Sequence, residues 1–462
     1  MRVATKMVLS GIGLVLPSCS FVLDLDECEV DEHCPDLGDV CQAGRCESQA
    51  DVELFIDGNI TGDVTWDAGT TVRLTTVVYV EPGSSLTIEA GTTIYGEQGS
   101  ALVVQAGAEL FARGTEFEPI VFTSSKPEGE RLPGDWGGVA LLGRAPVNSP
   151  GPVLEGVQEE ERAGYGGSDD THSCGVMEYV RIEFAGFPLQ QDEELNGLTI
   201  AGCGSGTLLN FIHVHFGLDD GIEFFGGSAN LRHAVITRAQ DDSLDYDKGW
   251  TGVAQFVAIQ QDAGGDNGIE ASSSEDAAAV PRTAPRIWNL TMIGSGGDGS
   301  QRGITFKEGV AGTINNAILM GHPIEAIDIQ DATTVAMLES GDLAVRNAMM
   351  WSAGASGEEF FPSVEDETEL VPDDERDDDQ GFDENAFFRA VDTLTLGVDP
   401  TLPEPHNLED PGWVPLGTAP AEAAGDPPGP LFDGFDEQAR YAGAFQPGQL
   451  PWTLNWTAYP EN

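Results

Sequence analysis

The chain has 462 residues, of which 78 are acidic and 21 basic, so its formal net charge is −57. A surface of this sign attracts cations and repels nucleic acid and anionic lipid headgroups, which excludes nucleic acid as a partner. The length fits two or three globular domains or one elongated repeat array, and the 58 glycines favour short strands and turns over packed helices.

The N-terminus is predicted to be an export signal. Arg2 and Lys6 precede an apolar run over residues 7–16, which is shorter than the roughly 20 residues that a membrane-spanning helix needs. The run leads into the tetrapeptide L-P-S-C that ends at Cys19 and resembles a bacterial lipobox. The resemblance implies that a signal peptide, residues 1–18, is cleaved and that Cys19 carries lipid; a plain secretory signal is the alternative. We therefore expect an exported protein, lipid-anchored at the outer membrane or cell surface.

Residues 19–50 are predicted to form a small disulfide-rich segment with a linker. Its cysteines follow the spacing C-x5-C-x6-C-x4-C, at Cys28, Cys34, Cys41 and Cys46. The segment is too short and too acidic to build a hydrophobic core, so two disulfides are expected to hold it in an oxidising compartment. Their connectivity stays open, and a zinc site would favour a tighter C-x2-C pair.

From residue 51 to residue 351, short β-type runs alternate with Gly, Asp and Asn. The motif DDGIEFFGG at 219–227 returns as DDSLDYDKG at 241–249, an offset of 241 − 219 = 22 residues. A period of this size is typical of a solenoid, in which stacked repeats bury their aliphatic residues together and pair their strands from coil to coil. The predicted fold is all-β, a right-handed parallel β-helix; a β-sandwich is the main alternative.

Two ladders of three-residue motifs follow this repeat. The first has the pattern small, aliphatic, polar, and its central residues are Leu198, Ile222, Leu244, Ile269, Ile304 and Ile327. The second is less regular, with room for a slip of one residue, and its central residues are Ile182, Val214, Ile236, Ile259, Ile293 and Leu319. Cys174 and Cys203 lie 203 − 174 = 29 residues apart, about one repeat, so we expect them to cross-link neighbouring coils.

Excursions of different composition interrupt or follow the coils. The segments 146–170 and 271–285 are predicted to be insertions. Residues 352–390 contain a strongly acidic stretch, 352–384, which is predicted to be a solvated loop and is a candidate for disorder. The tail 391–462 is rich in proline and ends in aromatic residues. We expect it to cap the open end of the solenoid, whose strand edges would otherwise aggregate.

An acidic stripe is the main candidate for metal binding. At the 22-residue offset, and then at one of 25, carboxylates stack on neighbouring coils; they are Asp219, Asp220, Glu223, Asp241, Asp242, Asp245, Asp266 and Glu270. Adjacent strands lie about 4.8 Å apart, and carboxylates that close repel each other unless a cation or hydrogen-bond donors separate them. Oxygen ligands suit calcium, which is the predicted cofactor. The alternative is that Asp219 and Asp241 cap tight turns through their own backbone N–H groups.

Two histidines offer a second candidate site. His213 and His215 point to the same side of a predicted strand, and Glu183 lies beside His215 on the neighbouring coil. Either a metal site or a His–Glu hydrogen bond on a polar outer face would follow from this arrangement.

Several motifs together resemble a widespread group of bacterial cell-surface lipoproteins, most of them uncharacterised. These motifs include PIVFTS at 119–124, GDWGG at 134–138, YVRIEFAG at 179–186 and the motif at 219–227. The resemblance covers roughly residues 80–459 and implies a pectin-lyase-like right-handed β-helix at the cell surface. It implies little about activity, because one fold hosts many functions.

Two functions therefore remain open. The first is a monomeric, non-enzymatic surface lipoprotein whose calcium-stabilised β-helix binds a glycan or another surface component, such as a protein. The second is a polysaccharide lyase or glycoside hydrolase acting on an acidic polysaccharide. Enzymes that resemble pectate lyase use calcium and a basic residue, which points to Arg238 and Lys248, whereas hydrolases pair carboxyls as acid and base, which points to Asp242. A lyase needs a basic residue that faces the aspartates.

Overall fold

The computed structural model describes residues 39–42, 45–48, 52–157, 160–189, 195–297, 299–362 and 379–462. It divides into two compact units, Met1–Val52 and Glu53–Asn462. The predicted signal peptide and lipid site, and the cysteines Cys28 and Cys34, lie outside the described residues. Export, lipid attachment at Cys19 and the N-terminal disulfides therefore stay predictions.

The described part of the first unit is a two-stranded antiparallel hairpin. Strand β1, Asp39–Gln42, pairs with β2, Arg45–Ser48, and this pairing places Cys41 opposite Cys46.

Strands make up most of the regular secondary structure in the described rest of the chain. They are β3 Val52–Ile56, β4 Asp63–Trp66, β5 Thr70–Leu74, β6 Val77–Val80, β7 Ser85–Ile88, β8 Thr93–Gly96, β9 Ala101–Val104, β10 Glu109–Arg113, β11 Ile120–Ser124, β12 Val139–Leu142, β13 Gly175–Glu183, β14 Leu198–Ala201, β15 Leu208–His215, β16 Ile222–Phe225, β17 Asn230–Thr237, β18 Leu244–Asp247, β19 Val253–Gln260, β20 Asn267–Ala271, β21 Arg286–Ile293, β22 Arg302–Phe306, β23 Gly312–Met320, β24 Ile327–Ile329, β25 Leu343–Trp351 and β26 Leu394–Leu396. The helices are α1 Glu160–Ala163, α2 Ala332–Ser340, α3 Glu384–Arg389 and α4 Ala419–Glu422. Among the described residues, no helix is long and apolar enough to cross a membrane.

These strands form two parallel sheets that wind around one core. From β13 to β25 the chain alternates between a 15-stranded sheet, here called the long-strand sheet, and a nine-stranded sheet, here called the short-strand sheet. Each strand pairs in parallel with the equivalent strand of the next coil, as β14 does with β16 and β15 with β17. This arrangement confirms the predicted right-handed parallel β-helix.

Each long strand bends in its middle and so supplies two sides of the coil. The bend is one residue with φ between 52° and 62°; these residues are Tyr179, Phe211, His233, Phe256, Asn289, Asn316 and Asn347. Such a backbone is costly for a residue other than glycine. Stacking offsets the cost, because the ring centres of Tyr179 and Phe211 lie 4.2 Å apart and those of Phe211 and His233 lie 4.3 Å apart.

The two predicted ladders line the interior. The central residues of the first ladder align from β14 to β24 and are buried. The second ladder holds except at one coil, where Met292 rather than Ile293 aligns with Ile259. Ile293 faces outward, where it packs against residues of the tail. The predicted slip of one residue therefore occurs directly after the insertion at 271–285.

Cys174 and Cys203 form the predicted cross-link. Their disulfide joins Cα atoms 5.8 Å apart, and both cysteines are buried in the main core. The prediction succeeded because the 29-residue separation is close to one coil.

The end of the stack is covered in part by the predicted tail, whose strand β26 pairs with β25, and in part by the segment that precedes the tail. Phe360 accepts backbone hydrogen bonds from Ala326 and Ile327 at the last short strand, and Phe361 and Phe388 join the core. The flanks of the predicted acidic loop are therefore packed structure; residues 363–378 lie outside the described part. The aromatic part of the tail packs against the side of the long-strand sheet, where Trp456 belongs to an apolar cluster with outward residues of that sheet.

Candidate functional site

The outer face of the short-strand sheet carries polar side chains in register. Backbone pairing aligns six of them, here called the outer row: Thr199, Glu223, Asp245, Glu270, Thr305 and Asp328. Their neighbours along each strand point into the core, because side chains alternate across a sheet. Since paired strands lie about 4.8 Å apart, the backbone itself holds the carboxylates of Glu223, Asp245 and Glu270 close together.

A second line of carboxylates lies where the chain enters these strands. Asp220 and Asp242 are buried, and each accepts a hydrogen bond from the backbone of the next coil. Asp242 N donates to Asp220 Oδ1 at 3.0 Å, and Asn267 N donates to Asp242 Oδ1 at 2.7 Å. Asp220 and Asp242 therefore join one coil to the next, whereas turn capping by Asp219 and Asp241, the alternative to metal binding, stays a prediction.

The structure brings seven of the eight predicted metal ligands into groups that could hold a cation. In each group, carboxylate oxygens lie within 4.8 Å of one another; the groups are Asp219–Asp220–Asp241, Asp220–Glu223–Asp245 and Asp241–Asp242–Asp266. Glu270 lies outside these groups, and its Oε1 contacts Lys307 Nζ. An all-oxygen ligand set suits calcium. The set fits in one further respect, since Asp245 Oδ1 is buried and has no hydrogen-bond partner in the described part of the chain.

Burial and crowding make these carboxyls hard to ionise together. The carboxyls whose pKa is raised well above the usual range are Asp220, Glu223, Asp242 and Asp245. Burial is the main cause of each raised pKa, and the carboxylate on the next coil is the second. A bound cation, or a proton shared between Glu223 and Asp245, would relieve this repulsion.

Two lysines flank the outer row. Lys248 Nζ lies 3.0 Å from Asp247 Oδ2 and 3.9 Å from the centre of the Phe225 ring. Lys307 Nζ contacts Glu270, as noted above. Burial acts to lower the pKa of each lysine, but the neighbouring carboxylates outweigh it and raise the pKa of both. Both ammonium groups therefore stay protonated at neutral pH.

One of the two predicted basic residues lies beside the row, and so does a lysine that was not predicted. Lys248 adjoins the row, whereas Arg238 lies at the end of β17 in the long-strand sheet. Arg238 Nε is 2.7 Å from Asp262 Oδ2, and its guanidinium lies 3.8 Å from the centre of the Phe216 ring. Lys307 was missed, although it stands two residues after Thr305, where the strand period repeats the outward direction.

The histidine pair is a buried hydrogen-bonded network. His215 Nε2 lies 2.9 Å from the carbonyl oxygen of Pro460, which can only accept, so Nε2 carries the proton. His215 Nδ1, 2.7 Å from Thr237 Oγ1, then accepts from that hydroxyl. Thr237 Oγ1 in turn accepts from His213 Nε2 at 3.1 Å. Glu183 lies beside His215 in the register as predicted, but it bonds Thr123 and Arg181, so neither the metal site nor the His–Glu hydrogen bond forms.

A comparison with known protein families agrees with the observed fold. A family model described as a pectate-lyase-like β-helix domain matches residues 58–382. No curated protein and no solved structure matches the chain.

Proposed function

We propose that this chain, which belongs to the family of pectate-lyase-like β-helix domains, binds a carbohydrate on the outer row. The observation that carries the proposal is the partly exposed set of Asp245, Glu270, Lys248 and Lys307 on one sheet face. Carboxylates accept and ammonium groups donate charge-assisted hydrogen bonds, which are the contacts that sugar hydroxyls can make. The backbone fixes the spacing of these groups, so binding would require little reorganisation.

We include calcium in this proposal as a structural partner of the row. The group Asp220–Glu223–Asp245 supplies three carboxylates with raised pKa values at the base of the face. A cation there would keep them ionised and would hold Asp245 in place for a ligand.

The test is a glycan array run with calcium on the wild type and on an Asp245→Asn variant. Glu178→Gln, on the long-strand sheet, is the matched control because it also removes a partly exposed outward carboxylate. We expect Asp245→Asn to reduce binding of any glycan hit by roughly tenfold, the usual cost of one charge-assisted hydrogen bond, while Glu178→Gln changes nothing. Equal binding by all three proteins would refute the outer row as the site.

The second candidate is a glycoside hydrolase or polysaccharide lyase on the same face. Glu223 and Asp245 favour the hydrolase, because they lie on adjacent coils and both have a raised pKa, which a general acid needs. A lyase needs a neutral lysine as base, and the raised pKa of Lys248 and Lys307 works against that role near neutrality.

An activity screen on acidic and neutral polysaccharides separates these outcomes. A hydrolase would release reducing ends, and a Glu223→Gln variant would abolish the release. A lyase would form an unsaturated product at a rate that rises toward alkaline pH. Binding without either product assigns the row to recognition alone.

We also propose, from the sequence signals alone, that the protein is exported and anchored by lipid at the cell surface as a monomer. Metabolic labelling with palmitate should mark the wild type and not a Cys19→Ala variant. Equal labelling of the two, or none in either, would exclude the anchor.

A further inference from the structure

A pocket of about 570 Å³ opens on the side of the long-strand sheet, away from the outer row. One wall is the beginning of β15 and β17, with Asn210, Asn230 and Arg232; the other is the tail segment 431–434. This volume lies in the usual range of small-molecule sites, roughly 300 to 1,000 Å³. The lining also has the usual character, since Leu208 and Phe432 supply apolar surface and the strand residues supply polar groups.

Arg232 is the unusual residue of this pocket. Its Nε is buried and has no hydrogen-bond partner within the described residues. The lysines of the outer row and Arg238, by contrast, each contact a carboxylate. The residue as a whole is partly exposed, and its guanidinium lies 5.8 Å from the centre of the Phe256 ring. Burial lowers the pKa of Arg232, although Asp436 acts to raise it. In a chain with 78 acidic residues, an arginine that forms no ion pair among the described residues points to a ligand that supplies the anion.

The surroundings restrict what that ligand can be. Arg232 Nη1 lies close to Gly434, where an added Cβ would stand 3.2 Å from it, so the tail holds the guanidinium against the sheet. Asn210 is already bonded to His233 and Glu178, which fixes its amide beside Arg232. Asp433 is exposed at the rim of the pocket, where its charge disfavours a ligand that carries more than one negative charge. A single carboxylate on an apolar ring meets these conditions, because the planar guanidinium binds a carboxylate in a two-pronged manner and Phe432 can contact the ring.

We propose that this pocket binds a small monocarboxylate with a ring-shaped apolar body, whose carboxylate pairs with Arg232 and whose ring contacts Phe432. Such a ligand would bridge the β-helix and its tail. The site is separate from the outer row, so it stands or falls independently of the carbohydrate proposal.

Isothermal titration with benzoate, and with benzamide as its uncharged counterpart, tests the proposal on the full chain. We expect saturable binding of benzoate, and binding of benzamide that is roughly tenfold weaker or undetectable. Arg232→Met should weaken benzoate binding by about tenfold to a hundredfold. The Arg232→Lys variant keeps the positive charge but loses the planar guanidinium. Its affinity for benzoate should therefore lie between the affinities of the wild type and of Arg232→Met.

The matched control is Arg346→Met. Arg346 occupies the same register position in β25 as Arg232 does in β17, but it is exposed and does not line the pocket. Its variant should bind benzoate as the wild type does, as should Asp245→Asn in the outer row. A Phe432→Ser variant, altered only in the tail, should weaken binding even if Arg232→Met proves unstable. No saturable binding, equal binding of benzamide, or undiminished binding by both the Arg232→Met and Phe432→Ser variants would overturn the proposal.

Discussion

Acid should weaken the packing of the tail through His215. Its ring is fully buried between Thr237 and Pro460, and burial lowers the pKa of His215 to about 4, with a smaller contribution in the same direction from Arg238. An unfolded histidine titrates near pH 6.5. The stability that the neutral ring contributes is therefore complete above pH 6.5 and is lost as the pH falls toward 4. From these two pKa values, the contribution of His215 to the free energy of unfolding should fall by about 2 to 3 kcal/mol between pH 7 and pH 4.5.

Urea unfolding at several pH values checks this magnitude when it is applied to the wild type and a His215→Gln variant. Protonation of the many carboxylates also changes stability over this range, but it does so equally in both proteins. The free energies of unfolding of the two proteins should therefore converge by about 2 to 3 kcal/mol on going from pH 7 to pH 4.5. Parallel curves would refute the reasoning, as would an NMR titration that places the pKa of the His215 ring near 6.5.

Two further predictions concern stability. If the acidic groups bind calcium, chelation should lower the stability of the wild type by about 2.7 kcal/mol from a state with calcium at a hundredfold its Kd. Chelation should not change the stability of an Asp220→Asn/Asp242→Asn variant, because that variant lacks two of the carboxylates. Asparagine keeps the oxygen that accepts the backbone N–H of the next coil, so the variant should still fold. Equal melting of the wild type with and without chelator would exclude a structural cation. Replacing Cys174 and Cys203 by serine should cost about 3 to 4 kcal/mol, from the loop that a separation of 29 residues closes, and an unchanged urea midpoint would contradict this.

The coil was predictable because its signal is periodic. Inward aliphatic residues recur once per coil, and every coil repeats the same environment, so the ladder through Ile222 and Leu244 follows from the spacing alone. The signal fails where an insertion changes the spacing, which is why Ile293 was assigned to the interior in place of Met292. The disulfide belongs to the predictable part, since one repeat separates its cysteines.

The side-chain chemistry was less predictable, because it depends on contacts that are distant in sequence. Burial keeps the His215 ring neutral, and the contact that places the proton on its Nε2 comes from Pro460, which lies 245 residues further along the chain. Nothing local to Arg238 indicates that Asp262 and Phe216 hold it away from the acidic row. The tail was predicted to cap the end of the stack from its aromatic residues, and those residues contact apolar surface equally well along the side.

The covering segments themselves indicate where a ligand can bind. The tail lies along the outside of the long-strand sheet, with Phe445 and Trp456 packed on outward residues of that sheet. The insertion at 146–170 covers the first strands of the short-strand sheet, where Tyr165 packs near Phe225. The later strands of that sheet keep partly exposed charged groups, Asp245 among them. A stack of carboxylates with raised pKa values is unfavourable for folding; Asp220, Glu223 and Asp242 are buried in it, whereas Asp245 keeps partial exposure. Stability alone would favour neutral residues there, which is why we propose a ligand or a cation as the partner of the outer row.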